Sequence, residues 1–167
     1  LQRWAFGLTS LELTTFVWGH FGVFPLEVNR DRPNGGNFEW AGRLPPAVFD
    51  DVRRRPENPT LVINHPRSGL PGGSYFDYAQ YNPMTGQANM AAWDTNFTAV
   101  EFFNDSSFEQ NATLVRDWYS FLDRGRRVFA VGSSDSHHVV KGSPVGYPRT
   151  CLYMGTDDPQ TAMPAAI

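Results

Sequence analysis

From residue 60 onwards, the sequence alternates short apolar runs with one long stretch of helical periodicity. Residues 60–63, 99–103 and 128–131 are apolar runs of strand length. Between the second and third runs the periodicity predicts a helix, with Asn111 as its N-cap and Gly125 as its C′ residue. The residues recurring on its apolar face are Leu114, Val115, Trp118, Phe121 and Leu122. This order of strand, helix and strand predicts an α/β fold with a largely parallel sheet.

Further elements are predicted on both sides of this region. Residues 8–15 and 21–26 are rich in apolar and β-branched side chains and predict two successive strands. A helix is predicted from Pro45 to residue 55, because proline suits the first turn of a helix. A last strand is predicted at residues 149–154.

Residues 67–94 are rich in Gly, Pro, Tyr, Asn and Gln and show no clear period. Stretches of this length without regular structure are usually functional loops, or they contain small elements. We therefore expect this segment either to form a lid over a site or to hold short elements of its own.

Length and charge narrow the class of protein. The chain has 167 residues, which suits one domain with a real core. Its 14 Lys and Arg against 17 Asp and Glu give a net charge of −3, so we expect no nucleic-acid partner. The apolar runs are shorter than the ~20 residues of a membrane-spanning helix, so we expect no membrane partner. The single cysteine, Cys151, lies in an apolar run and is typical of a packing residue rather than a nucleophile.

The two ends of the sequence suggest a segment of a longer protein. There is no initiator Met, and residues 157–163 have the pattern of a helix that is beginning. We therefore expect truncation at the N-terminus and at the C-terminus.

Polar residues follow two of the apolar runs directly. His65 follows residues 60–63, and Asp135 and His137 follow residues 128–131. The carboxyl ends of parallel strands meet at one rim of a sheet, so these side chains should lie close together. A carboxylate with imidazoles suits Zn, Mn or Fe. The alternatives are a surface turn for Asp135 and His137, and a strand-capping role for His65.

Two more candidate ligands lie near the beginning of the chain. Glu12 stands in an otherwise apolar predicted strand, where a buried carboxylate needs a partner and the alternative is a solvent-facing side chain. His20 lies in an aromatic-rich turn, where its alternative role is packing.

Three further residues are candidates for supporting roles. His138 can orient His137 or the substrate without binding metal. Arg67 and Arg149 can hold an anionic or carbonyl oxygen, with structural ion pairs as the alternative.

Five motifs in this order resemble the PHP (polymerase and histidinol phosphatase) superfamily, and most closely its CehA/McbA-like metallohydrolase branch. They cover nearly the whole chain, and five ordered motifs are more specific than any one of them. The motifs are Glu12, Gly19-His20-Phe21, Asn64-His65-Pro66-Arg67, Ala99-Val100-Glu101-Phe102-Phe103-Asn104 and Gly132-Ser133-Ser134-Asp135-Ser136-His137.

The resemblance implies a fold and a ligand set. The fold would be the C-terminal part of a distorted (β/α)7 barrel, with residues 1–167 forming a single PHP-like domain that lacks its N-terminal strands. The barrel rim would carry two or three divalent ions, Zn, Mn or Fe. Glu12 would bridge metals, His20 and His65 would bind one metal, and Asp135 and His137 would bind the others.

Further consequences of the resemblance concern the rest of the site. Asn104 would support the site or contact the substrate. The family's N-terminal His-x-His and Asp-His motifs have no counterpart here. The remaining ligands are therefore expected upstream of Leu1, and the segment alone is expected to be inactive.

The activity implied is hydrolysis of an ester, amide or carbamate bond in a small-molecule substrate by a metal-bound hydroxide. Asp135 and His137 would be catalytic, with His137 helping to move the leaving-group proton. The alternatives are a phosphoesterase of the PHP type, a noncatalytic PHP-like metal-binding module, and a plain α/β domain whose histidines are structural.

Overall fold

Five short strands form a single sheet in which neighbours along the chain are neighbours in space. The computed structural model describes residues 7–67, 74–104, 108–138, 144–158 and 160–162. The strands are β1 (Leu11–Thr14), β2 (His20–Phe24), β3 (Thr60–Asn64), β4 (Ala99–Asn104) and β5 (Phe129–Ser133). Together with the helices they make a mixed α/β fold.

The sheet is mixed rather than largely parallel. β1 and β3 both run antiparallel to β2, whereas β4 runs parallel to both β3 and β5. The turn from β1 to β2 occupies only residues 15–19, which is too short for the crossover that parallel neighbours need. The largely parallel expectation is therefore wrong for the first half of the chain. Within the described residues the sheet is open, because β1 and β5 do not pair with each other.

The helices lie between the strands as α1 (Pro45–Arg53), α2 (Tyr75–Tyr78) and α3 (Phe108–Asp123), with a 3-10 helix at Pro33–Gly36. The predicted start of α1 at its proline pair is confirmed. In the described part of the chain, no helix is both long enough and apolar enough to cross a membrane.

Of the two predicted ends of α3, the start is wrong and the end is confirmed. Asn111 lies inside the helix, where its side chain is buried, so its prediction as the N-cap is wrong. The apolar stripe begins only after the first residues of the helix. A start predicted from the stripe is therefore too late in the chain. Gly125 is confirmed as the C′ residue, since its φ is +72° and its N–H donates to the Leu122 carbonyl.

The segment at residues 74–97 supplies much of the core, through side chains that have no sequence period. Tyr75, Phe76, Tyr81 and Trp93 are at most 8% exposed. Their rings pack in pairs with centroids 4.7 to 6.1 Å apart. The described part of this segment therefore agrees with the expectation of short elements, since it holds a small element and core aromatics. Residues 68–73 lie outside the described residues.

No strand forms at residues 149–154, so that prediction is wrong. The segment is hydrogen-bonded to β5 through a side chain, and not through the backbone pairs of a β-ladder. The Thr150 hydroxyl accepts from the Gly132 N–H at 2.8 Å and lies 3.1 Å from the Gly132 carbonyl, to which it donates. Leu152 and Tyr153 are exposed, so the apolar run predicts burial that does not occur.

Replacing Phe76 by alanine should lower the free energy of unfolding by about 3–5 kcal/mol, because a fully buried ring would leave a cavity. Met90→Ala, at a side chain that is 78% exposed, is the matched control and should change it by less than about 0.5 kcal/mol. Urea denaturation followed by tryptophan fluorescence measures both. Equal midpoints for Phe76→Ala and the parent would show that this ring is not part of the core.

Candidate metal centre

Side-chain alternation divides β1, β2 and β3 into an apolar face and a polar face. Glu12 pairs with Gly22, and His20 pairs with Asn64. Directly opposed residues in a sheet share a face, so all four lie on the same side. The intervening residues of these strands that belong to the core are Leu13, Phe21, Val23, Leu61 and Ile63.

One edge of the sheet collects the polar ends of the strands. Because β2 runs opposite to β3, His20 at the start of β2 lies beside Asn64 at the end of β3. β4 and β5 run parallel to β3, so Asn104 and Ser133 end at the same edge. His65 follows β3, and Asp135 and His137 follow β5, so these residues leave the sheet at the same edge.

Glu12, His20 and His65 form a compact cluster of potential metal ligands at this edge. Their donor atoms all lie within 4.8 Å of one another. Glu12 Oε1 is 3.7 Å from His20 Nδ1 and 4.0 Å from His65 Nε2. Ligands bonded to one ion at about 2.0–2.2 Å are separated by roughly 3.0–4.4 Å. The two distances from Glu12 fall in this range, so the residues fit a shared divalent ion.

The state of His20 also suits a ligand. Burial lowers the pKa of His20, and the nearby His65 lowers it further, while Glu12 and Asp135 raise it. The net direction is downward, which favours the neutral imidazole. A metal binds the neutral ring rather than the imidazolium.

Neighbouring side chains hold the Glu12 carboxylate in place. The Asn64 amide donates to Oε1 at 2.8 Å, and the Thr14 hydroxyl donates to Oε2 at 3.1 Å. The Glu12 side chain is 40% exposed. It therefore faces solvent in part, as the alternative role for Glu12 expected, but it is also held by these two hydrogen bonds. The amide of Asn64 has room because Gly22 has no side chain, and a Cβ there would lie 3.0 Å from Asn64 Oδ1.

Asp135 and His137 lie outside this three-residue cluster but contact each other. Asp135 Oδ1 is 3.1 Å from His137 Nε2, and Asp135 Oδ2 accepts from the Asn104 amide at 3.4 Å. Asp135 is near enough to act on the pKa of His20. His137 is 75% exposed and lies towards solvent.

Glu101 is a site residue that the sequence analysis did not single out. It is 2% exposed, and its carboxylate accepts from the His65 N–H at 2.5 Å, the Asn104 amide at 3.0 Å and the Ser133 hydroxyl. Burial raises its pKa, whereas the three donors lower it, and the net direction is upward. A signal was present, since Glu101 interrupts an apolar strand as Glu12 does.

The supporting candidates have other positions. Arg67 is committed to a structural ion pair, with Nε 2.5 Å from Asp117 Oδ2 and Nη1 2.8 Å from Asp77 Oδ1. The Arg149 guanidinium donates to the Gly146 carbonyl at 3.1 Å and is exposed. His138 is exposed. The geometry therefore places Asn104 in contact with Asp135 and ties Arg67 to α2 and α3.

Comparison with protein-family models, curated proteins and solved structures gives no match.

Replacing Glu12 by glutamine should lower the pKa of His20 further, because it removes a negative charge that stabilises the imidazolium. NMR titration of the His20 ring resonances measures this. The matched control is Glu27→Gln, which lies past the opposite end of β2 and should leave the pKa of His20 unchanged. An unchanged His20 pKa in Glu12→Gln would place the carboxylate away from the imidazole.

Proposed function

We propose that this protein is a metal-dependent hydrolase and that Glu12, His20 and His65 hold a divalent metal ion. The observation that carries the proposal is the clustering of one carboxylate and two imidazoles, with donor atoms within 4.8 Å, at a single sheet edge. A carboxylate with imidazoles suits Zn, Mn or Fe. Such an ion supplies Lewis acidity and lowers the pKa of water towards ~7.

The proposal extends to the fold. A PHP-type (β/α)7 barrel would carry its metals at the rim formed by strand ends. The arrangement of His20, Asn64, Asn104 and Ser133 at one edge supports this. So does the parallel β3–β4–β5 unit with α3 in its second crossover.

The residues around the cluster have distinct tasks in this function. Asn64 orients Glu12 by donating to the carboxylate oxygen that also faces both imidazoles. Asp135, fixed by the Asn104 amide, supplies a further carboxylate next to His20. His137 contacts Asp135 and is mostly exposed, so it can carry a proton between the site and solvent.

The ion pairs of Arg67 favour an ester, amide or carbamate over a phosphoester as the substrate. Phosphoryl groups are commonly held by guanidinium groups in a bidentate manner. Arg67 makes its bidentate contact with Asp117, whose side chain is completely buried, and it binds Asp77 as well. A phosphate would have to displace these carboxylates.

Metal binding should depend on the three clustered residues. In the full-length protein stripped with a chelator, we expect Zn²⁺ or Mn²⁺ to bind and to restore turnover of an ester, amide or carbamate. Glu12→Gln or His20→Gln should weaken binding by about 100-fold or more, since loss of supporting residues alone costs about 10–100-fold. Isothermal titration calorimetry measures the affinity, and a panel of model substrates measures the turnover.

Glu27→Gln is the control for both measurements and should behave as the parent. Turnover that persists in the chelator-treated protein would contradict the hydrolase mechanism. Metal binding without turnover of any substrate in the panel would favour a noncatalytic module, and turnover of phosphomonoesters alone would favour a phosphoesterase.

A further inference from the structure

Glu101 is a carboxylate in the interior of the fold with no arginine or lysine among its described partners. It is 2% exposed in the middle of β4, between Val100 and Phe102. Burying a carboxylate is costly unless hydrogen bonds replace its hydration. The groups that donate hydrogen bonds to Glu101 in place of water indicate the role of this side chain.

The three donors come from the ends of three different strands. The His65 N–H lies just past β3, the Asn104 amide is at the end of β4, and the Ser133 hydroxyl is at the end of β5. His65 is itself a proposed ligand, and the Asn104 amide also contacts Asp135. A single buried group, the Glu101 carboxylate, thus connects His65 just past β3 with Asn104 and, through it, with Asp135 after β5. We call this edge of the sheet, where the polar strand ends collect, the polar edge.

A β-bulge makes this arrangement possible. Residues 101 and 104 are three apart, and in a regular strand they would face opposite sides of the sheet. The register of β4 against β5 shifts between Glu101 and Phe103, which adds one residue to β4. Asn104 thereby returns to the side of Glu101 and donates to its carboxylate at 3.0 Å.

His65, which donates to Glu101, and Asp135, which is linked to Glu101 through Asn104, have uncommon backbone conformations. His65 has φ +25° and Asp135 has φ +44°, in the left-handed region that non-glycine residues rarely adopt. Such conformations persist only where surrounding contacts hold them. The bond from the His65 N–H to Glu101 holds the first directly, and Asn104 links Glu101 to the second.

We propose that Glu101 is a positioning residue that fixes the His65 backbone and, through Asn104, the Asp135 carboxylate relative to each other. This inference rests on the proposed metal-dependent function. It assigns Glu101 no contact with metal or substrate. Its effect is on the geometry, and therefore on the affinity, of the centre.

The test uses Co²⁺ as the probe in the full-length protein, with Glu101→Gln and Glu101→Leu as variants. Glutamine keeps one oxygen acceptor, whereas leucine keeps none, so Co²⁺ affinity should fall in the order parent, glutamine, leucine. We expect a loss of about 10–100-fold for Glu101→Gln, as for other residues that orient metal ligands. The visible spectrum of bound Co²⁺ should change, and the His65 amide proton resonance should shift even without metal.

Asp94→Asn is the matched control, because Asp94 is also a largely buried carboxylate but pairs with Arg53 on α1. It should lower stability and leave the Co²⁺ affinity and spectrum unchanged. Ser133→Ala removes a single donor to Glu101 and keeps the test available if Glu101→Leu fails to fold. It should produce a smaller change in the same direction as Glu101→Gln.

Two results overturn the proposal and differ from each other. Parent and Glu101→Gln proteins that bind Co²⁺ with equal affinity and identical spectra would remove the positioning role while leaving the metal centre intact. A parent protein that binds no Co²⁺ would overturn the proposed function, and the positioning role with it.

Discussion

Burial of Phe21 fixes the register on which the polar edge depends. Its side chain is fully buried and packs edge-on against Phe49 and Tyr75, with centroids 4.9 and 5.4 Å away. Because side chains alternate along a strand, His20 must then face the other side. A slip of one residue would expose the phenylalanine, at a cost of about 1.5–3 kcal/mol, and would bury His20 in its place. The apolar face of the sheet therefore determines which residues can form the candidate centre.

Two glycines connect this register to its surroundings. At Gly19, φ is +95° and an added Cβ would lie 2.7 Å from the Tyr75 backbone nitrogen, so the turn before β2 packs directly on the start of α2. That contact fixes where His20 begins its strand. Gly22, two residues after His20, leaves space on the polar face for the Asn64 amide that holds Glu12. The core aromatics and the ligand cluster thus lie on opposite sides of the same short strand, β2.

Local patterns predicted what depends on local contacts. The stripe of α3 follows from helical periodicity, and β3 and β4 follow from apolar runs of strand length. Gly125 follows from the backbone conformation at a helix end. The direction of β1 and β2 could not be obtained in this way, nor could the core position of residues 74–97, whose aromatics have no period. Glu101 was missed because its partners His65 and Ser133 are 36 and 32 residues away in sequence. Only the folded chain brings these groups together.

The charge balance of the polar edge gives a physical reason for a cation there. Glu12 accepts from the Asn64 amide, whereas Glu101 and Asp135 share the Asn104 amide as a donor. Within the described residues the ion pairs of Glu12 and Asp135 involve only histidines. Burial lowers the pKa of His20, which favours the neutral ring over a positive charge that would offset the carboxylates. Arg67, close to His65 in sequence, turns away to Asp117. Because no arginine or lysine of the described residues pairs with Glu12 or Asp135, a divalent ion that binds the folded state would stabilise this edge, so metal binding and folding would be coupled.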